Sequence, residues 1–259
     1  MKKNENKFKD FCYLVNRWLT PVFNPVKALY SLPRFVRYFV DMKKYSNMPA
    51  SEKIMIFDTY PCIHDKTATT LFDSHYFYQD RWAFKKIFDS GTPSHVDVGS
   101  NVVLISFLSV ICKVTFIDLR PLNVNISNLE SRHGTILEMP FPDNSISSLS
   151  SLHVAEHIGL GRYGDPIDPA GTKKSCDELV RVLADEGNLY FSLPVGKPRL
   201  CFNAHRIHSP YTILEYFKPL KLVELSGIDD AGNFINGIDI KILEECSFGC
   251  GLFHFKKTK

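Results

Sequence analysis

Between residues 72 and 194, short apolar runs alternate with stretches whose apolar residues recur at helical spacing. Phe72 to Ile87 reads as a helix, with Tyr78, Trp82 and Phe84 on its apolar face. A short strand ends at Asp97 and Gly99, a helix-like stretch follows, and a second strand ends at Asp118. The pattern then predicts a short helix over Asn123–Arg132, a third strand over Gly134–Leu137 and a proline-bracketed turn over Met139–Ser145. A fourth strand over Ile146–Leu152 precedes a polar loop, Gly159–Gly171. A helix over Lys174–Ala184 and a strand over Asn188–Leu193, stopped by Pro194, complete the series. Such alternation implies a mainly parallel sheet covered on both faces, with ligands at the C-terminal strand ends.

The first part of the chain reads differently. From Phe8 to Tyr45, aromatic and aliphatic residues (Phe11, Tyr13, Leu14, Trp18, Leu19, Phe35, Phe39) mix with Arg34, Arg37, Lys43 and Lys44, and Pro21, Pro25 and Pro33 divide the stretch into short helices. Residues 46–70 read as loop with one short strand, Lys53–Phe57. The division expected is a basic aromatic helical extension, residues 1–53, and an α/β domain, residues 54–259. Two uses of the extension stay open: contact with an anionic membrane surface or a partner, or a helical arm packed on its own domain.

Charge sharpens this division. Residues 1–53 carry eleven Lys and Arg against four acids, a net +7, which leaves −4 on the remainder. A mildly acidic body argues against a nucleic-acid-binding face. Seven cysteines without a CxxC pair fit reduced thiols, hence a cytoplasmic protein, with the extension placing it at the inner face of a membrane if it does touch lipid. Cys246 and Cys250 read as incidental thiols, and no metal is expected. The sequence shows neither a spanning apolar segment nor a secretory leader.

An acid about 20 residues beyond a glycine turn sits at the tip of the second strand, where it can accept both hydroxyls of a ribose. Asp118 holds that place relative to Gly99. The loop has one glycine, followed by Ser100, Asn101 and Val102, which disfavours a pyrophosphate and leaves room for a nucleoside cofactor without phosphates, such as S-adenosylmethionine. The alternative is an α/β unit that binds nothing.

Met139-Pro-Phe-Pro-Asp-Asn-Ser-Ile-Ser-Ser-Leu-Ser-Ser-Leu-His-Val-Ala-Glu-His157 resembles the stretch before and along the fourth strand of class I S-adenosylmethionine-dependent methyltransferases. Glu178 to Pro194 is similar to that superfamily's helix, acidic turn, glycine and fifth strand. Asp73-Ser-His-Tyr-Phe-Tyr-Gln and Gly159-Leu-Gly-Arg-Tyr-Gly-Asp-Pro-Ile-Asp-Pro resemble a bacterial and nematode methyltransferase-like family of unknown function. The resemblance implies a Rossmann-like class I methyltransferase fold with a mainly parallel seven-stranded sheet flanked by helices. It also implies S-adenosyl-L-methionine as cofactor, with Asp97, Gly99 and Ser100 at its methionine end and Asp118 on the ribose. Thr135 stands where the superfamily has an adenine-contacting acid, and Tyr78 on the preceding helix would roof the pocket.

His153-Val-Ala-Glu156-His157 lies just past the fourth strand. It matches an inverted zinc-protease motif, which needs both histidines on one helix face. It also resembles a metal-assisted methyltransferase pattern with His153 in place of a carboxylate. A third reading makes His153 a general base, with Glu156 and His157 capping or supporting it. His205 follows the fifth strand, so His153, His157 and His205 are the candidate catalytic residues. Arg162, Tyr163 and Asp165, in a loop read as a substrate lid, and Arg206 are the candidate acceptor contacts, with Arg162 and Arg206 suited to an anion. The function expected is O-methylation of a small polar or glycan-related acceptor. The competing expectation is a methyltransferase-shaped scaffold or binding protein that has lost catalysis.

Overall fold

The computed structural model describes residues 11–12, 15–20 and 23–259; residues 1–10 and the Tyr13, Leu14 and Pro21 named above lie outside them. The chain divides into two units, Met1–Leu71 and Phe72–Lys259.

In the first unit, α1 (Pro25–Ser46) starts with Asn24 Oδ1 accepting from the Lys27 N–H, and Pro25 occupies the first turn, where its missing N–H costs nothing. Pro33 does not divide this helix. It lies inside 22 continuous helical residues, none of them buried. The Lys53–Phe57 stretch is not a strand either: its end forms a 3-10 turn over Ile56–Asp58 with Phe57 exposed. No described helix is long and apolar enough to cross a membrane.

The second unit opens with α2 (Ser74–Ser90), capped by the Asp73 carboxylate at its start and by Gly91 in the left-handed conformation at its end. Then come β1 (Ser94–Val98), α3 (Val102–Ile111), β2 (Lys113–Asp118), β3 (Leu129–His133) and β4 (Ile146–Leu152). Next are α4 (Gly171–Val182), β5 (Leu183–Val195), a small hairpin of β6 (Arg199–Cys201) and β7 (His205–Ile207), and α5 (Pro210–Tyr216). The chain finishes with β8 (Lys221–Ile228), the two-residue β9 (Phe234–Ile235), α6 (Ile240–Glu245) and β10 (Gly249–Lys256).

The main sheet runs β3-β2-β1-β4-β5-β10-β8-β9. The first five strands are parallel, β10 is antiparallel to both β5 and β8, and β9 adds a short eighth strand at the edge. The order reverses between β1 and β4, the switch point at which such sheets open a crevice.

Two apolar cores lie on opposite faces. Leu179 and Val182 of α4, Ile213 of α5 and Leu243 of α6 pack on one, and Trp82 and Ile87 of α2 with Leu104 and Leu108 of α3 on the other. Strand side chains alternate between them, so in β10 Phe253 and Phe255 face one core and Cys250 and Leu252 the face that carries α2.

The third strand is displaced from its expected position. It covers Leu129–His133, overlapping the end of the stretch read as a helix, while Gly134–Leu137 forms a turn with Thr135 bridged to Glu138. As an edge strand, β3 packs only Leu129 on the core and leaves Glu130 and Arg132 paired in solvent, so its sequence lacks the apolar run of an interior strand.

Candidate functional site

The turn from β1 into α3 is built by side chains where the usual loop has glycines. The Asp97 carboxylate accepts from the Ser100 N–H (3.0 Å) and hydroxyl (2.7 Å) and from the Ser150 hydroxyl on β4, and Ser100 Oγ in turn accepts from the Leu152 N–H (3.0 Å). Asn101 caps α3 and donates to Asp80 on α2. Buried and committed to this network, Asp97 has its pKa pushed up to about 6 by burial, against the pull of its hydrogen bonds. Asp97 and Asp118 therefore do not face one crevice as expected. Asp97 and Ser100 shape the turn from beneath, and Asp118 alone lines the cavity above it.

That cavity sits at the ends of β1, β2 and β4, lined by Gly99, Asp118, Arg120, Thr135, His153, His157 and Tyr163, with Leu119, Ile136, Val154 and Ile158 as apolar wall. Asp118 Oδ1 accepts from the Arg120 N–H (2.7 Å). Oδ2 points at the glycine turn, since a Cβ on Gly99 would lie 3.8 Å from it, and no described residue donates to it. Gly99 is itself left-handed (φ +70°), and an added Cβ would lie 3.2 Å from both Val154 methyls, so backbone is exposed to the cavity where a side chain would close it. The rim carries an aromatic ring between two cations: the Arg120 and Arg162 guanidinium carbons lie 4.8 and 5.0 Å from the Tyr163 ring centre.

Below the cavity lies a group of imidazoles. His153 has left-handed backbone (φ +57°), a conformation costing a non-glycine residue about 1 kcal/mol or more. Its Nδ1 is 2.5 Å from Gln79 Oε1 on α2, which also accepts from Ser192 Oγ. His157 Nδ1 is 2.6 Å from the Ala204 carbonyl, and its Nε2 is 3.6 Å from Glu156 Oε1. Burial pushes His157 down to about 4 and His153 well below the imidazole range, so both are neutral at pH 7. Glu156 is fully buried, with its carboxyl pushed up to about 8 by burial, and Tyr76 beside it is raised to about 12. The residues after β4 form turns rather than a helix, so the inverted zinc-protease geometry is not formed.

Besides Asp97 and Ser100, five of the expected site residues do not line the cavity. Tyr78 stacks on Phe234 of the edge strand (5.6 Å). His205 sits behind His157, ring centres 6.4 Å apart, and against Phe248. Asp165 accepts from the Gly159 N–H (2.6 Å), and Arg206 donates to the Ile158 and Asp168 carbonyls, so both fasten the loop after β4. Arg162 donates to the Ala204 carbonyl and reaches the rim only through Tyr163. The cation lining the cavity is instead Arg120, whose Nε lies 3.9 Å from Asp118 Oδ1, signalled in the sequence only by its place two residues after Asp118. Gln79, His75 and Cys250 were equally silent, since each lies in an ordinary helix or strand pattern.

Among known proteins, residues 138–225 match the profile of a family described as a Caenorhabditis protein of unknown function, DUF268. A comparison with curated protein sequences finds no match. The N-methyltransferase NodS from Bradyrhizobium japonicum WM9, crystallised with S-adenosyl-L-homocysteine, superposes with a TM-score of 0.52 at 15% identity, over 77% of this chain and 92% of that one. A methyltransferase assigned only provisionally, from Bacillus halodurans C-125, gives 0.50 at 15% identity over 68% and 97%. The [4+2]-cyclase SpnF gives 0.50 at 12% identity over 69% and 80%. The chain has the class I methyltransferase fold, a fold that carries more than one chemistry.

Proposed function

We propose that this protein is an S-adenosylmethionine-dependent methyltransferase acting on an oxygen of a small polar or glycan-related acceptor. The observation that carries the proposal is Asp118 at the tip of β2, one carboxylate oxygen held by backbone and the other open toward a bare glycine turn. Asp118 would hold the ribose hydroxyls, Gly99 would admit the methionine end, and Leu119 and Ile136 would flank the adenine, with the Thr135 hydroxyl in place of the usual acid. When bound, the cofactor supplies an electrophilic methyl group.

The residues around the acceptor end narrow its chemistry. A histidine held near 4 takes a proton from an alcohol poorly, so His157 is a weak base at pH 7. An acceptor oxygen already ionised, as in a carboxylate or phosphate, needs no base, and Arg120 at the rim suits that charge. The basic extension adds a second element to the proposal, contact with an anionic membrane surface, supported by its net charge and by exposed Phe35, Phe39 and Val40 on α1. Co-sedimentation with anionic but not neutral vesicles tests that element.

Calorimetric titration of the wild type and Asp118→Ala with S-adenosylhomocysteine tests the cofactor. Loss of charge-assisted bonds to two hydroxyls lowers affinity about 10- to 100-fold in the variant. A folded wild type that binds no S-adenosylhomocysteine supports the scaffold reading instead.

A further inference from the structure

The fold brings together three residues that are far apart in sequence: His75 on the first turn of α2, His153 just beyond β4 and Cys250 on β10. One ligand atom from each lies within 4.8 Å of the others. We propose that these three side chains bind a divalent transition-metal ion, Zn²⁺ by the softness of the set, beside the floor of the cavity.

Four observations converge on this. His153 Nδ1 faces the Gln79 amide oxygen, so it carries the proton and leaves the lone pair on Nε2. That nitrogen is shut off from solvent and has no hydrogen-bond partner among the described residues. A metal-binding histidine usually donates its other ring N–H to an oxygen acceptor that fixes its tautomer, and the Gln79 carboxamide oxygen holds that place here. The His75 ring is held by stacking on Phe248, ring centres 5.0 Å apart.

Second, His75 and Cys250 are buried, as is the bare nitrogen of His153, so the set lies inside the protein, where an unmet lone pair is costly. Third, the Glu156 carboxyl is completely buried and neither oxygen has a hydrogen-bond partner among the described residues. A dication nearby would favour the ionised form of this buried carboxyl and of the Cys250 thiol together.

Fourth, there is an entry path. His75 also lines a surface depression bordered by Asp73, Asp229 and Asp230, which concentrates cations at its mouth. Two nitrogens and one sulfur fit Zn²⁺ and exclude Mg²⁺ and Ca²⁺, which take oxygen ligands. Tetrahedral ligands stand roughly 3.5 Å apart, so a contraction of about 1 Å closes the set. Because His153 belongs both to this cluster and to the cavity lining, the ion stands next to the proposed acceptor end.

The test uses the full chain with the exposed Cys12 and Cys62 and the half-buried Cys201 changed to Ser, stripped with chelator and titrated with Co²⁺ alone. One Co²⁺ per chain is expected, with a thiolate-to-cobalt charge-transfer band that Zn²⁺ abolishes. Cys250→Ser removes the band, His75→Ala weakens binding at least about 10-fold, and Gln79→Leu weakens it about 10-fold. Cys246→Ser leaves both signals intact, because that thiol is turned away toward the Ile242 carbonyl. A folded parent chain that shows no band, judged by a cooperative thermal transition, overturns the proposal. So does a band undiminished in both Cys250→Ser and His75→Ala. The parent spectrum decides even if a variant fails to fold, and none of these readings depends on methyl transfer.

Discussion

Gln79 Oε1 meets His153 Nδ1 at 2.5 Å across 74 residues of sequence, tying the middle of α2 to the end of β4. The same oxygen accepts from Ser192 on β5, so one buried amide fixes a helix and two strands and sets which nitrogen of His153 is bare. Gln79→Leu leaves both donors unsatisfied inside the protein. A loss of about 1–3 kcal/mol in urea unfolding is expected, and unchanged stability would show that the amide is not the tie described.

Gly99→Ala asks for a left-handed alanine and presses a methyl against Val154 at 3.2 Å. The expected cost is about 1–2 kcal/mol of stability, with loss of S-adenosylhomocysteine binding because the methyl also enters the space before Asp118. Calorimetry on the folded variant checks the second effect. Full binding by the variant would mean that the turn is not the approach face.

Arg120 and Arg206 differ in what they hold. Arg206 anchors the loop after β4 through two carbonyls, so Arg206→Ala should speed proteolysis of residues 159–170 and lower stability by about 1–3 kcal/mol. Arg120 is exposed at the rim, so Arg120→Ala should shift stability by less than about 0.5 kcal/mol and leave proteolysis unchanged. Equal proteolysis of the two variants would remove the distinction.

His95 lies buried between the Ser148 and Ser150 hydroxyls, each 2.8 Å away, and burial pushes its pKa from 6.5 down to about 3. The folded state therefore binds fewer protons than the unfolded chain between those values. The contribution of His95 is complete above about pH 6.5 and is lost as pH falls toward 3. From pH 8 to pH 5, the wild type should lose about 2 kcal/mol more stability than His95→Leu, in which this titration is absent. Asp97, pushed up to about 6, acts in the opposite sense but is present in both proteins. Parallel curves for the two would mean that His95 is not held neutral.

The order of strands and helices was legible wherever an element packs both sides or one stripe against the core, because burial imposes its period on the sequence. The strands ending at Asp118 and Leu152 and the helix starting beside Asp73 stand out for that reason. β3 escaped because an edge strand needs only Leu129 inside, and the helix through Pro33 escaped because an exposed helix tolerates a missing hydrogen bond that a rule of local sequence forbids.

The sequence by itself determined the α/β alternation and the acid at the second strand tip, both properties of neighbours along the chain. Tertiary structure alone decided which polar groups are spent and which are free. It turned Asp97 inward onto Ser100 and Ser150, gave Arg206 to two carbonyls, and set His75, His153 and Cys250 side by side. The physical reason is that hydrogen-bond partners and burial come from elements separated by tens to more than a hundred residues, and no local period records them.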